Sequence, residues 1–309
     1  MEYSNLLSDE ELKQLMERYE VPELENYLRE HQRPVVKMVR GEGGNGQTGC
    51  SRFGGSPDLP AGMEWPRSQG GEWMTLVAQL NLSQITAEIK DSAHGAIPGS
   101  LLPAQGMLYF FVGQDEPAYN IEHRVLYWSG MDTSLLTCYE PDGLTILEEE
   151  AEEPFLPYQV HAQARVEFPN YGYSEVYNLD DEEITEETAE NYLLLTEEMG
   201  WEPEHVIGKM LGYGDGQHGD HEFVAASYLH TGKHTYNQEK DKKRMIQHFG
   251  GDEQKVDQEI DEMLMLLEVD SNRDIGFLWW DAGCIHFFIR KEDLLAGNFE
   301  RTYCSIYSS

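Results

Sequence analysis

What this chain has little of narrows the field first. Basic residues number 22 against 57 acidic ones, a formal charge of -35. Such a surplus repels phosphate backbones and anionic lipid, so neither nucleic acid nor a membrane surface is expected as a ligand, and a partner would be basic. Cysteine is scarce, and Cys50, Cys138, Cys284 and Cys304 stand far apart with no C-x-x-C pair. That spacing argues against a zinc ribbon or a disulfide framework and for reduced thiols in a cytoplasmic protein. No eighteen apolar residues run together, and the opening MEYSNLLSDEEL has neither a basic nor an apolar leader segment, so no span and no export signal are expected. The G-x-x-x-x-G-K-[ST], H-E-x-x-H and G-x-S-x-G patterns are all missing, which removes the usual signs of a phosphate loop, a zinc protease and a hydrolase elbow.

What is present suffices for a real core: 309 residues, 40 % hydrophobic and 11 % aromatic. Ser8 and Glu11 have capping-box spacing ahead of Leu12, Leu15, Met16 and Tyr19, which predicts a helix over 9–20. A second helix starts at Pro22 and stops at Pro34. Strands are expected at 35–39, 73–85, 106–112, 123–128, 134–139, 158–166, 263–270, 283–289 and 301–307. The run 41–62 is too rich in glycine and proline for regular structure. Helices are expected over 179–200 and 238–249, from 252 onward, and over 291–296.

Two stretches stand out because they resemble each other. GMLYFFV (106–112) and GCIHFFI (283–289) each place a Phe-Phe pair in a strand with a buried face. FGGSPDLP, LVAQLN and HRVLYW around the first find counterparts in LGYGDGQH, LLEVDS and RTYCSIY around the second, and Phe111 to Arg124 is the same interval as Phe288 to Arg301. Four pieces in one order predict two internally duplicated halves, about 35–165 and 166–309, behind an N-terminal helical segment, 1–34. The fold class expected is α+β, mainly antiparallel sheet, with helices at the N-terminus and in the second-half insertions.

At these residues the chain resembles the YwqG-like family, an uncharacterised family of bacterial proteins classed as a domain of unknown function. The marks are Gly54, Gly55, Pro57, Asp58, Leu59 and Pro60; Trp65-Pro66; LVAQLN at 76–81; Leu102-Pro103 before Gly106; Leu211-Gly212-Tyr213 with Gln217 and Asp220; and Trp279 with Asp281-Ala282-Gly283. Trp280 fills a position where glycine is usual, and Gly214 stands where proline is common. The resemblance covers roughly 35–307 and implies an α+β fold with duplicated halves, a cytoplasmic location and no agreed activity. More distantly it implies kinship with programmed-cell-death-type proteins that chaperone a ribosomal protein, an analogy at the level of fold.

The candidate ligand- or partner-binding residues are Asp58, Gln79, Gln217, Asp220, Trp279 and Asp281. His218, Asp220 and His221 form an H-x-x-H loop that could supply metal ligands, although Asp side chains in such loops also bond the turn backbone. No catalytic residue and no cofactor are assigned. The function expected is an acidic, chaperone-like binding module for a basic polypeptide; the alternative is a metal-dependent hydrolase working through the Gly-Asp-His loop.

Overall fold

The computed structural model describes residues 6–90, 101–113, 120–138, 140–142, 155–174, 176, 184–200, 205–216, 218–235 and 237–307. The capping box forms as its spacing demands: Glu11 N–H donates to Ser8 Oγ at 3.3 Å, and Ser8 N–H donates back to the Glu11 carboxylate at 2.8 Å. It opens α1 (Asp9–Tyr19), and α2 (Glu25–Glu30) follows Pro22. Both helices share an apolar cluster with α4 (Glu186–Gly200), built on Leu12, Leu28, Tyr192 and Leu195. The expected residues 179–183 of that fourth helix lie outside the described residues.

The centre of the molecule is an antiparallel pair, β1 (Arg33–Gly43) against β8 (Tyr158–Glu167). On the β8 side the sheet continues through β2 (Arg52–Phe53), β4 (Thr75–Asn81), β5 (Met107–Val112) and β6 (His123–Trp128). On the β1 side it continues through β9 (Val206–Leu211), β10 (Met263–Asp270), β11 (Cys284–Arg290) and β12 (Thr302–Tyr307). A small second sheet pairs β3 (Asp58–Pro60) with β7 (Leu136–Cys138). Helix α3 (Leu82–Lys90) follows β4; α5 (His221–Thr231), α6 (Gln238–His248) and α7 (Glu253–Asp261) fill the connection from β9 to β10; α8 (Lys291–Leu295) precedes β12. The α+β class and the helical insertion in the second half are as expected.

Two local expectations need correction. The strand read over 73–85 stops at Asn81, because Asn81 Oδ1 accepts from Ser83 N–H and Gln84 N–H and so caps α3. The glycine-rich run also contains β2 and β3, short strands held by β4, β8 and β7.

The ten-stranded sheet curls until its edges meet. Ile121 N–H donates to the Cys304 carbonyl at 3.0 Å, and His123 Nε2 lies 2.9 Å from Thr302 Oγ1. Edge groups that would otherwise be open for pairing are thereby partly satisfied. Inside the curl the two Phe-Phe strands touch, with Phe110 packed edge-to-face on Phe287 at 5.1 Å. Phe111 and Phe288 point the other way, the first against Trp65 at 5.5 Å and the second into the cluster beneath α5, α6 and α7. All four rings are fully buried.

Candidate functional site

Polar side chains buried in a sheet must find partners, and this sheet buries two groups of them. In the first, Arg52 on β2 faces Gln79 on β4, which faces Tyr109 on β5. Asp58 Oδ2 accepts from an Arg52 guanidinium nitrogen at 2.7 Å, from Gly49 N–H at 2.8 Å and from Gln79 Nε2 at 3.0 Å. Gln79 Oε1 accepts from Asp58 N–H at 2.7 Å, and Tyr109 donates its hydroxyl to the Asp58 carbonyl at 2.7 Å. Burial alone would push the Asp58 carboxyl up, but the bonds from Arg52, Gln79 and Gly49 more than offset it and hold it below its ordinary range. None of Arg52, Asp58, Gln79 and Tyr109 is more than 3 % exposed, so this cradle is closed.

The second group has the same ground plan and different chemistry. Lys209 on β9 faces Glu268 on β10, which faces His286 on β11. Six residues after Lys209, as Asp58 comes six after Arg52, Asp215 takes the lysine at 2.9 Å and donates its N–H to Glu268 Oε2 at 2.8 Å. Positions 54 and 55 of the first turn and 211 and 212 of the second all have positive φ, between 62° and 74°. Both strand pairs also skip one residue at the same place, between Leu76 and Ala78 and between Met265 and Leu267.

Around this plan the second group gathers charge. Lys37 on β1 stands opposite Lys209, and Glu167 bridges the two amines, hydrogen-bonded to Lys37 and 3.5 Å from Lys209. The Lys209 amine is also 3.4 Å from Glu268 Oε1. His286 Nε2 lies 2.7 Å from Glu268 Oε2 and 3.3 Å from Cys284 Sγ. Burial opposes the charge on Glu268, but Lys209 and His286 together drive its carboxyl well down; Asp270 is driven up by burial and then by the charges of Glu268 and Asp215. The Asp270 carboxyl, half-buried, has no hydrogen bond or ion pair among the described residues. A cleft of about 240 Å³ opens here, lined by Glu167, Lys209, Asp215, Glu268 and Asp270 together with Phe168, Leu193 and Met199 and with Thr196 and Glu197 of α4.

Residues 51–307 match a family defined as a domain of unknown function, DUF1963. The chain belongs to the DUF1963 family. No curated protein matches it. The DUF1963 match begins one residue before β2 and ends on β12, so it takes in both cradles, while β1 with Lys37 precedes it.

Within this DUF1963 chain the candidates read from the sequence are dispersed. Asp58 and Gln79 meet in the closed first cradle. Asp220 precedes α5 and accepts from Gln238 Nε2 at 2.7 Å. Trp279 is a core residue, stacked on Phe277 at 5.2 Å, whereas its neighbour Trp280 is 41 % exposed. Asp281 is exposed in the turn after it, and Gln217 lies outside the described residues. Trp280 adopts φ 47°, so the left-handed turn survives with tryptophan where the family usually has glycine. The H-x-x-H motif is not all loop: His218 is exposed in the turn, whereas His221 opens α5 and rests on His286, ring centres 4.7 Å apart, its imidazole pushed down to about 4 by burial and by the His286 charge. Those three residues do not form one of the donor groups that converge within 4.8 Å; Glu268, Cys284 and His286 do, and so do Asp215, Glu268 and Asp270.

The residues missed were Lys37, Glu167, Lys209, Glu268, Asp270, Cys284 and His286. One signal was available: Glu268 and Asp270 on one strand, and Cys284 and His286 on the next, repeat with the period of two that puts both pairs on a single face. The side-by-side comparison of halves also ran out of register. Arg124 faces Phe111 on the neighbouring strand, but Tyr303, not Arg301, faces Phe288. The offset is confined to the closing strand, since Gln79 and Glu268 occupy the same place relative to the Phe-Phe strands.

Proposed function

We propose that this DUF1963 protein is a binding module whose cleft beside the second cradle takes a cationic group, the side chain of a lysine or arginine on a basic polypeptide. The observation that carries this reading is Asp270, a half-buried carboxyl with no hydrogen bond or ion pair among the described residues, in a cleft where the amines of Lys37 and Lys209 are already committed to Glu167, Asp215 and Glu268. An incoming ammonium or guanidinium group would favour the ionised form of that carboxyl and pair with it, and Phe168, Leu193 and Met199 in the same cleft would take the aliphatic stem. The overall charge of -35 would draw such a partner in. The two parallel cradles support a duplicated chain, as does the resemblance to the YwqG-like family; the chaperone-like role rests on that more distant analogy. The loop at His218 lends the hydrolase alternative no converging donor set.

The test is titration of a fluorescent hexa-arginine peptide at low and high salt, with hexaglutamate as control. Binding that weakens with salt, and at least tenfold in Asp270→Asn, about 1.4 kcal/mol, is expected. No binding, or equal binding by Asp270→Asn, would overturn the reading.

A further inference from the structure

Beyond a cationic side chain, the second cradle has the donors for something smaller. Glu268, Cys284 and His286 come from adjacent strands, point to one side of the sheet and bring an oxygen, a sulfur and a nitrogen within 4.8 Å of one another. We infer that these three residues form a binding site for a single zinc-like transition-metal ion, entered from the cleft, with Asp270 or a water molecule as the fourth ligand.

The geometry is close to what such an ion imposes. With Zn–N and Zn–O of about 2.0–2.1 Å and Zn–S of about 2.3 Å, a tetrahedral ion holds nitrogen and sulfur about 3.6 Å apart and nitrogen and oxygen about 3.4 Å apart. His286 Nε2 now lies 3.3 Å from Cys284 Sγ and 2.7 Å from Glu268 Oε2, so each of these two separations would widen by less than 1 Å to admit the ion, while Glu268 Oε2 keeps the Asp215 N–H at 2.8 Å. Asp270 stands directly across from Cys284 in the strand register, at the open end of the group. A mixed nitrogen, sulfur and oxygen set selects zinc or cobalt over magnesium or calcium, which prefer oxygen alone. Lys209 contacts the other Glu268 oxygen, Oε1, and would stay there to orient the ligand. On binding, the thiol proton of Cys284 and any proton on His286 Nε2 leave for solvent, and the ion takes their place.

The other half of the sheet supplies an internal contrast. At the matching register positions stand Gln79, Met107 and Tyr109, none of which is a usual zinc ligand. Three neighbouring positions thus carry donors together in one cradle and lack them together in the other. A buried hydrogen-bonded pair would need only Glu268 and His286; the added thiol is what a metal would use.

The experiment uses full-length protein, reduced and stripped with a chelator, titrated with Co²⁺ and followed by absorbance, with bound Zn²⁺ counted by elemental analysis. One equivalent of metal and a thiolate-to-cobalt charge-transfer band are expected. The band should vanish in Cys284→Ala and persist in Cys138→Ala, and His286→Gln should weaken binding at least about 100-fold, since even outer-shell partners are worth about 10- to 100-fold. The triple variant Glu268→Gln, Cys284→Met, His286→Tyr installs a set the first cradle already accommodates; circular dichroism should report it folded while metal uptake is lost. Absence of stoichiometric uptake by the unmodified protein, or a band that survives Cys284→Ala, would overturn the inference. Hexa-arginine binding is measured on stripped protein, so the two ideas fail separately.

Discussion

The two cradles share a frame and differ in almost every side chain set upon it. Arg52 and Lys209 each face a central strand residue and each take an aspartate six positions later, so the cation and its anion are common to both. Around them, Gln159, Gln79, Asn81, Met107 and Tyr109 on one side correspond in register to Lys37, Glu268, Asp270, Cys284 and His286 on the other. The cradle with the neutral set is closed to solvent, and Arg52 Nε is the only buried side-chain nitrogen or oxygen of Arg52, Asp58, Gln79 and Tyr109 left without a hydrogen bond among the described residues; Asn81 Nδ2, for example, donates to the Gly49 carbonyl at 2.7 Å while its oxygen caps α3. The titratable set leaves Asp270 without a hydrogen bond or ion pair among the described residues and opens on a cleft. A buried network whose acid is paired stabilises and specifies a fold, whereas one whose unpaired acid keeps its proton through burial and neighbouring anions is held ready for something else.

The comparison can be broken at its strongest shared point first. Phe110→Ala and Phe287→Ala remove the two rings that meet across the core, and each should lower unfolding free energy by about 3 to 5 kcal/mol in chemical denaturation. Costs differing by more than about 2 kcal/mol would show that the halves are not mechanically alike.

Exchanging the central residues sharpens the contrast next. Gln79→Glu places a second carboxylate beside Asp58 and removes the donor to the Cys50 carbonyl, at an expected cost of about 2 to 5 kcal/mol. Glu268→Gln leaves Lys209 its bond to Asp215 and its approach to Glu167, and should cost only about 1 to 2 kcal/mol. Equal effects would contradict the assignment of one closed and one adaptable site.

Acid titration tests the first cradle through Asp58. The Asp58 carboxyl is lowered in the folded state, so its contribution is present above its unfolded value of about 3.9 and is lost as pH falls through the folded one. Denaturant midpoints of the unmodified protein should therefore drop below about pH 4 more steeply than those of Asp58→Asn, which starts from a lower midpoint at neutral pH. The smallest effect belongs to the turn between β10 and β11. Trp280→Gly relieves a tryptophan at φ 47° and should raise stability by up to about 1 kcal/mol, read as a small increase in melting temperature.

Much of the frame was legible. The capping box, the alternation in the Phe-Phe strands and the glycine stop before the last helices act over a few residues, so they can be read wherever they occur. The end of β4 was misread because Asn81, polar in a strand, could equally begin a helix. Trp279 and Trp280 are neighbours of one residue type, and only packing decides that the first enters the core and the second faces water.

By itself, the sequence determined the α+β class, the acidic surface, the placement of most strands and the burial of the four phenylalanines, since periodicity and composition act locally. Tertiary structure decided which residues meet. Lys37, Glu167, Lys209, Glu268 and His286 lie on five strands from distant parts of the chain, and they converge because the register of four strand pairings sets them side by side. A shift of one residue in any of those pairings would turn a member of the cradle to the opposite face, and no local pattern records which register is chosen.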